Sequence, residues 1–516
     1  MRKNLLEYLE NSAARYPDRV AFTNGETGLT FQALSAAARA VGSALSEYGR
    51  RRPVAVLMPK QADMVAALLG VLYSGNYYVP ADWEMSAPRL QKILTAAEPA
   101  ALVCDAGSEA RLRELGCAGP VRLYEELRAA PADDGLLARI RAQALDIDPA
   151  YVVFTSGSTG APKGVIASHR NALDYIEQLS AVLEADPGTV FGSQTPFYVD
   201  ACLKELYTTL KCGAQTVIIP KTLFTSPVRL IAFLNEHRVN TICWVSSALT
   251  IVSSLGGLKA ATPEYLRLIA FGSETFPLRQ FELWRAALPD VKYIHLYGPT
   301  EATGMSCYYV IEPGAPLPRE KIPIGFPFSN TGVLLIDEAN HLITEPGRVG
   351  EMYIRGAGVT MGYFRDRPRT GEAFVQNPLQ GDYPEIVYRT GDRACYDGEG
   401  ALVFAARADQ QIKHMGYRIE LAEIEEAARA CGAVDACCVF DEQTSRMTLF
   451  CLSEETEASL RRRLKEQLPA YMLPAAVVNC AAFPLTINGK IDRAALKKRA
   501  AGRGAGGGGT DRRRKE

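Results

Sequence analysis

Several features are missing from this chain, and each absence removes a class of function. No apolar run reaches about 18 residues, so no membrane-spanning helix is expected. The opening Met1-Arg-Lys-Asn-Leu-Leu-Glu-Tyr-Leu-Glu10 turns acidic by its second turn and does not read as a signal peptide, which points to a cytoplasmic protein. An excess of either charge is absent as well. The formal net charge is −1, so neither nucleic acid nor an acidic membrane surface is favoured as a partner. Only 5 histidines occur, none at ligand spacing, which argues against a zinc site. The 12 cysteines include no C-x-x-C pair. Cys202, Cys243 and Cys451 sit in apolar contexts and read as small core residues of a reduced protein. No internal repeat is visible.

What is present is ordinary globular composition, 47% hydrophobic and 22% charged, over 516 residues. That is too long for one core, so two or more domains are expected. Up to about residue 312, helical stripes (Asn4 to Tyr16, Ala62 to Tyr73, His169 to Leu183) alternate with short apolar strands (Pro53 to Met58, Ala101 to Cys104, Thr241 to Val245). Thr30 stands where it would cap a helix running to Tyr48. Such alternation predicts an α/β core of buried, parallel-type sheets flanked by helices. Residues 313–408 carry shorter strands and more turns, suggesting an antiparallel, β-rich subdomain that completes a core of 1–408. Residues 409–499 read as a small α+β unit, and the Gly-rich, basic stretch 500–516 as a disordered tail.

The most informative stretch is Tyr151-Val-Val-Phe-Thr-Ser-Gly-Ser-Thr-Gly-Ala-Pro-Lys-Gly164. A β-prone apolar run stops at Thr155 and is followed mostly by Gly, Ser, Thr and Lys. Glycine lets the backbone approach an anion, and successive N–H groups form a nest for it. The hydroxyls of Thr155, Ser156, Ser158 and Thr159 add donors, and Lys163 adds charge. No G-x4-G-K-[ST] spacing fits, so this is not a Walker loop. Two further strands break at glycine, at Gly272-Ser-Glu and at Gly298-Pro-Thr-Glu301. Ligands collect where α/β strands end in loops, so the three breaks are expected to line one cleft.

With these residues in view the chain resembles the ANL superfamily of adenylate-forming enzymes, which includes acyl-CoA synthetases, luciferases and adenylation domains. It looks most like amino-acid adenylation domains and D-alanine–carrier-protein ligases. The resemblance covers Leu5 to Arg493 and rests on 9 motifs in family order. They are Leu29-Thr-Phe-Gln-Ala-Leu34, Tyr78-Val-Pro-Ala-Asp82, Thr155–Gly164, Tyr297-Gly-Pro-Thr-Glu301 and Gly350-Glu-Met-Tyr-Ile354. Then follow Tyr388-Arg-Thr-Gly-Asp392, Gly416-Tyr-Arg-Ile-Glu420, Leu468-Pro-Ala-Tyr-Met-Leu-Pro474 and Asn488-Gly-Lys-Ile-Asp-Arg493. The fold implied is a large N-terminal domain with a barrel-like subdomain and a small mobile C-terminal lid. The activity implied is attack of a carboxylate on the ATP α-phosphate, then transfer of the acyl group to a pantetheine thiol, with ATP and Mg²⁺ required.

The roles implied by the resemblance follow position by position. The loop Thr155, Ser156, Gly157, Ser158, Thr159 and Gly160, with Lys163, should hold the pyrophosphate end of ATP. Glu301 should bind Mg²⁺, a hard cation that prefers oxygen. Tyr297 should stack on adenine with Gly272, Ser273 and Glu274 against it, and His295, Leu296, Gly298, Pro299 and Thr300 belong to the same ATP-binding set. Asp392 should accept the ribose hydroxyls, with Arg407 and Phe404 alongside. Lys490 should bridge the substrate carboxylate and the α-phosphate; Thr155, Glu301 and Lys490 form the catalytic set. Asp409 occupies the hinge position and Gly416 the pantetheine tunnel. Three positions depart from the family pattern: Ala406 before Arg407, His295 in place of Asn, and Val199 before Asp200.

Substrate choice is the remaining question. Alignment places Asp200 where amino-acid-activating members bind the α-ammonium; a helix N-cap is the alternative use of such an Asp. Ala201, Lys204, Ile269, Phe271, Leu296, Gly304 and Met305 are expected around the side chain, with either Cys243 or Trp244. Lys204 either pairs with an acidic substrate side chain, or is neutralised by Glu205, or points to solvent. No carrier module follows Arg493, so a separate phosphopantetheinylated carrier protein and a monomeric enzyme are expected. An acyl- or aryl-CoA ligase and an inactive adenylate-binding scaffold are the competing functions.

Overall fold

The structure is a computed structural model describing residues 2–115, 119–157, 162–316, 320–407, 411–442, 444–485 and 491–504. It divides into two compact units. The first is Met1–Glu84, Ile93–Thr155 and Lys163–Asp409; the second is Met85–Lys92, Ser156–Pro162 and Gln410–Glu516. Two short segments expected in the core, Met85–Lys92 and Ser156–Pro162, therefore group with the second unit.

In the first unit a six-stranded sheet runs in the order Val121–Leu123, Ala101–Cys104, Pro53–Leu57, Tyr77–Ala81, Pro149–Thr155, Lys163–Ser168. Its central members Pro53–Leu57, Tyr77–Ala81 and Ala101–Cys104 are buried along their whole length and pair in parallel, as their continuous apolar runs require. The last strand returns antiparallel, Thr155 facing Lys163 across the ladder. The sequence pattern predicts no strand there. The helix Phe31–Leu45 begins as expected, with the Thr30 side chain accepting from the Ala33 amide at 3.1 Å.

A nine-stranded sheet forms the second layer. Its heart is a parallel run: Gln215–Ile218, Val190–Ser193, Thr241–Val245, Leu268–Gly272, Lys292–Tyr297. Cys307–Ile311 then pairs antiparallel with Lys292–Tyr297. The two faces of this sheet feed different cores. Cys243, Ala270, Ile294, Leu296 and Met305 join the core shared with Tyr151 and Tyr175. Trp244, Ile269, Phe271 and Tyr293 join a separate one with Trp284. The β-rich segment is a five-stranded sheet in which Ile386–Tyr396 pairs with Gly350–Gly356, Phe374–Gln376 and Leu402–Arg407, each antiparallel.

The second unit contains the hairpin Gln411–His414/Tyr417–Glu420 and a three-stranded sheet of Asp435–Asp441, Arg446–Leu452 and Ala476–Asn479. Adjacent Cys437 and Cys438 point to opposite faces of that sheet and enter different clusters. A helix at Arg493–Gly504 carries order into the stretch expected to be tail; residues 505–516 lie outside the described residues. Among the described residues no helix is long and apolar enough to cross a membrane, and no three His, Cys, Asp or Glu side chains gather as a metal cluster.

Candidate active site

Three groups of interacting side chains, all in the first unit, form the candidate site, and the first two gather at strand ends singled out in the sequence. The first surrounds Glu301, which sits on the short 3-10 turn Thr300–Ala302 after Tyr297-Gly-Pro and is 0% exposed. The turn folds back tightly. A Cβ on Gly298 would lie 2.4 Å from the Gly304 carbonyl oxygen, so only glycine fits. Lys163 Nζ donates to Glu301 Oε1 at 3.1 Å, and the Tyr363 hydroxyl donates to the same oxygen at 2.7 Å. Burying a carboxylate is costly unless charges and donors accompany it, and here both are supplied. The buried Oγ1 atoms of Thr155 and Thr360 make no hydrogen bond. Thr360 is tied in by its amide, which donates to the Glu301 carbonyl at 3.0 Å. A buried carboxylate beside spare hydroxyl oxygens is the hard donor chemistry a Mg²⁺–polyphosphate pair demands.

The second group joins Tyr297, Asp392 and Arg407. The Tyr297 hydroxyl donates to Asp392 Oδ2, and Arg407 Nη1 donates to Asp392 Oδ1 at 2.5 Å. Asp392 is only 2% exposed. Burial, and then the Asp392 charge, push the Tyr297 phenol well above its ordinary range, so it remains a donor. Phe404 packs partly buried against the cluster containing Tyr297. His295 turns its Nδ1–H to the Pro323 carbonyl at 2.7 Å and stacks on Phe271 with ring centroids 5.0 Å apart. Ser273 adopts φ 67°, and Glu274 Oε1 accepts the Ser247 amide at 2.8 Å.

The third group is centred on Asp200. It opens the 3-10 turn Asp200–Cys202 ahead of the helix Leu203–Cys212, and neither element has a side-chain cap. The N-cap alternative for Asp200 is thus not realised. Asp200 is buried and its charge contributes, after desolvation, to raising the phenols of Tyr151 and Tyr175. Both phenol oxygens, and Ser306 Oγ, are buried without a hydrogen bond. Gly304, at φ 77°, leaves room for the Tyr175 ring, which a Cβ there would meet at 2.8 Å. Lys204 follows Asp200 by one helical turn, is 2% exposed, and has no hydrogen bond or ion pair among the described residues. The solvent-facing alternative for Lys204 is therefore excluded.

Glu205, 1% exposed, is held instead by Ser193, whose hydroxyl donates to Oε2 at 3.1 Å; its Oε1 makes no hydrogen bond. Desolvation pushes the Glu205 carboxyl up to about 7 despite the opposing charges of Lys204 and Lys60. Lys60 donates to the Ser193 carbonyl at 2.9 Å, and burial pushes it down to about 8.

The structure does not gather every expected pocket residue. Ala201, Leu296, Met305 and Cys243 lie on the Asp200 side, whereas Trp244, Ile269 and Phe271 point into the opposite core. Cys243 is thus the member of the Cys243/Trp244 pair that faces the Lys204–Glu205 group, which both act on its thiol. Gly157 and Ser156 are buried, and the Ser156 hydroxyl donates to the Arg418 carbonyl within the second unit. Gly416, at φ 78°, forms the tip of the 411–420 hairpin. Ser158, Thr159, Gly160, Asp409 and Lys490 lie outside the described residues. Tyr363, Tyr175 and Lys60 carry no signal in the sequence that marks them as site residues, and Glu205 enters the sequence reading only as a partner for Lys204. Tyr363 is 62 positions from Glu301, and no local pattern links them.

Comparison with known proteins is consistent with this geometry. The AMP-binding enzyme family matches residues 9–364, and the AMP-binding enzyme C-terminal domain matches 423–490. L-proline--[L-prolyl-carrier protein] ligase of Streptomyces coelicolor is 31% identical over 512 residues, covering 93% of this chain and 94% of that protein. Other relatives are much longer. Dimodular nonribosomal peptide synthase of Bacillus subtilis is 31% identical over 513 residues, and the match takes in 96% of this chain but only 21% of that relative. Among solved structures, holo-PA1221, an NRPS protein containing adenylation and PCP domains, superimposes with a TM-score of 0.83 at 27% identity, covering 96% of this chain and 84% of that one.

Proposed function

The chain belongs to the AMP-binding enzyme family and is an AMP-forming acid–thiol ligase, and from that premise we propose that it activates an amino acid and passes it to the pantetheine thiol of a separate carrier protein. The observation that carries the amino-acid reading is Asp200, a buried carboxylate set among the unbonded phenols of Tyr151 and Tyr175. A substrate α-ammonium brings a positive charge and donors to that carboxylate and to the phenols beside it. A plain acid supplies neither, which sets the CoA-ligase alternative behind.

In the first step the substrate carboxylate oxygen bonds to the ATP α-phosphorus, the bond to the pyrophosphate oxygen breaks, and pyrophosphate leaves. In the second, the pantetheine sulfur bonds to the acyl carbon, the thiol proton is lost, and AMP departs. Mg²⁺, when bound, offsets phosphate charge in the first step. Lys163 and the 155–160 loop hold the polyphosphate, and Glu301 presents its carboxylate to the metal. Asp392, fixed by Tyr297 and Arg407, accepts from the ribose. Lys490 is assigned to the reacting carboxylate, Asp409 to the hinge and Gly416 to the thiol tunnel.

Lys204 sharpens the reading to a substrate side chain bearing an anionic group. The Lys204 ammonium interacts with Glu205 only beyond hydrogen-bond distance, and a carboxylate arriving within that distance stabilises it further. An ATP–pyrophosphate exchange screen over amino acids tests both levels. Exchange driven best by an anionic amino acid is expected; preference for a small apolar one would remove the Lys204 assignment, and no amino-acid dependence would remove the function.

A further inference from the structure

Tyr363 belongs to none of the motifs that define the ATP site, yet its backbone is stitched into that site from two sides. The Ile166 amide donates to the Gly362 carbonyl at 3.1 Å, the Met361 amide to the Ile166 carbonyl at 3.0 Å, and the Phe364 amide to the Gly164 carbonyl at 2.7 Å. These bonds lay residues 361–364 along the strand Lys163–Ser168, with Val165 and Tyr363 bridged. From the other side, Thr303 Oγ1 donates to the Gly358 carbonyl at 2.6 Å and the Thr360 amide to the Glu301 carbonyl at 3.0 Å. The segment is therefore locked both to the strand that carries Lys163 and to the turn that carries Glu301.

The Tyr363 side chain closes the arrangement. Its ring packs edge-on against Phe374, with centroids 5.6 Å apart, in a small core with Val165 and Tyr388. Its hydroxyl donates to Glu301 Oε1 at 2.7 Å and accepts from Lys163 Nζ at 3.1 Å, and Lys163 also lies 4.7 Å from the ring centroid. A single rigid phenol thus touches both the carboxylate and the ammonium assigned to the metal–polyphosphate end. A carboxylate with one oxygen held by a fixed donor is restricted in rotation, and the other oxygen is aimed by the same constraint.

We propose that Tyr363 is the positioning residue of the metal site: its hydroxyl fixes the Glu301 carboxylate for Mg²⁺ and keeps it aimed when Lys163 engages phosphate oxygens. This rests on the adenylation reading of the site. Lys163 serves two anions, Glu301 and the polyphosphate; Tyr363 serves Glu301 whichever of them Lys163 contacts. The hydroxyl acts through Glu301 and touches no reacting atom.

The test is Tyr363→Phe, which deletes the hydroxyl and retains the ring. Phe374→Leu serves as a packing control that leaves the hydroxyl in place. Binding of ATP is measured calorimetrically with Mg²⁺ and with EDTA, and Mn²⁺ binding in the presence of ATP is followed by electron paramagnetic resonance. Tyr363→Phe is expected to weaken Mn²⁺ and Mg²⁺ binding about 10-fold, the usual cost of losing a ligand's outer partner. Metal-free ATP binding should stay within about 2-fold. Phe374→Leu should lower the melting temperature and leave metal binding unchanged. Equal metal binding by Tyr363→Phe and wild type, or equal loss with and without metal, would overturn the assignment. Failure of the wild-type protein to bind Mg·ATP at all would instead overturn the adenylation reading itself.

Discussion

The two ends of the site are built on opposite terms. Around Glu301 the charged groups are satisfied by the protein: Lys163 and Tyr363 both reach Oε1, and Asp392 is held by Tyr297 and Arg407. Around Asp200, buried groups are left wanting. Lys204 has no hydrogen bond or ion pair among the described residues, and Glu205 Oε1, Tyr151 and Tyr175 are unbonded. Pre-organised donors and carboxylates suit chemistry common to every substrate, because they cost little to reorganise during the reaction. Unpaired buried groups suit selection, because a ligand lacking the matching group leaves them unpaired.

The largest effect should come from breaking the satisfied end. Glu301→Gln keeps the shape and removes the charge, and is expected to lower kcat for pyrophosphate exchange by about 10²–10³-fold with a native melting profile. At the selective end, Asp200→Ala should cost roughly 10- to 100-fold in kcat/KM for the amino acid. The KM for ATP should hold steady, and a matching rise in that KM would show that Asp200 is not a substrate residue.

Lys204→Met separates the two ends further. Exchange with an anionic amino acid should fall about 10-fold or more while apolar amino acids gain. The melting temperature should rise, because a buried ammonium that makes no hydrogen bond or close ion pair is replaced by an apolar chain. An unchanged preference would place Lys204 in packing alone.

The smallest expected effect is in pH dependence. The Glu205 carboxyl is raised from 4.5 to about 7 by burial. Its folded form therefore keeps a proton that the unfolded chain releases. The stability this contributes is full below the unfolded value and is lost as pH rises to about 7. Glu205→Gln removes that dependence, so the melting-temperature difference between pH 5 and pH 7.5 should shrink by a few degrees. An identical difference in the two proteins would mean that the carboxyl titrates normally.

Chemistry was more legible in the sequence than direction. The breaks at Thr155, Gly272 and Gly298 follow from apolar runs that stop at glycine-rich loops, and each does end a strand. The choice between Cys243 and Trp244 was not legible, because a one-residue shift moves a strand residue to the other face and both residues are apolar enough for either core. The same ambiguity misdirected Ile269 and Phe271. The return strand Lys163–Ser168 was hidden behind the loop it closes, and the helices Ser246–Ser254 and Leu278–Ala287 lacked a distinctive stripe. Tyr363 was invisible because only long-range pairing, with residues 164–166 and with the turn that carries Glu301, brings it to that carboxylate.

The most direct test of the central claim is pyrophosphate exchange with the best amino acid compared with the same acid lacking only its α-amino group. The account predicts strong exchange with the first and roughly 10- to 100-fold less with the second, a preference that Asp200→Ala abolishes. Equal exchange with both acids would contradict it and return the protein to the ligases of plain carboxylic acids.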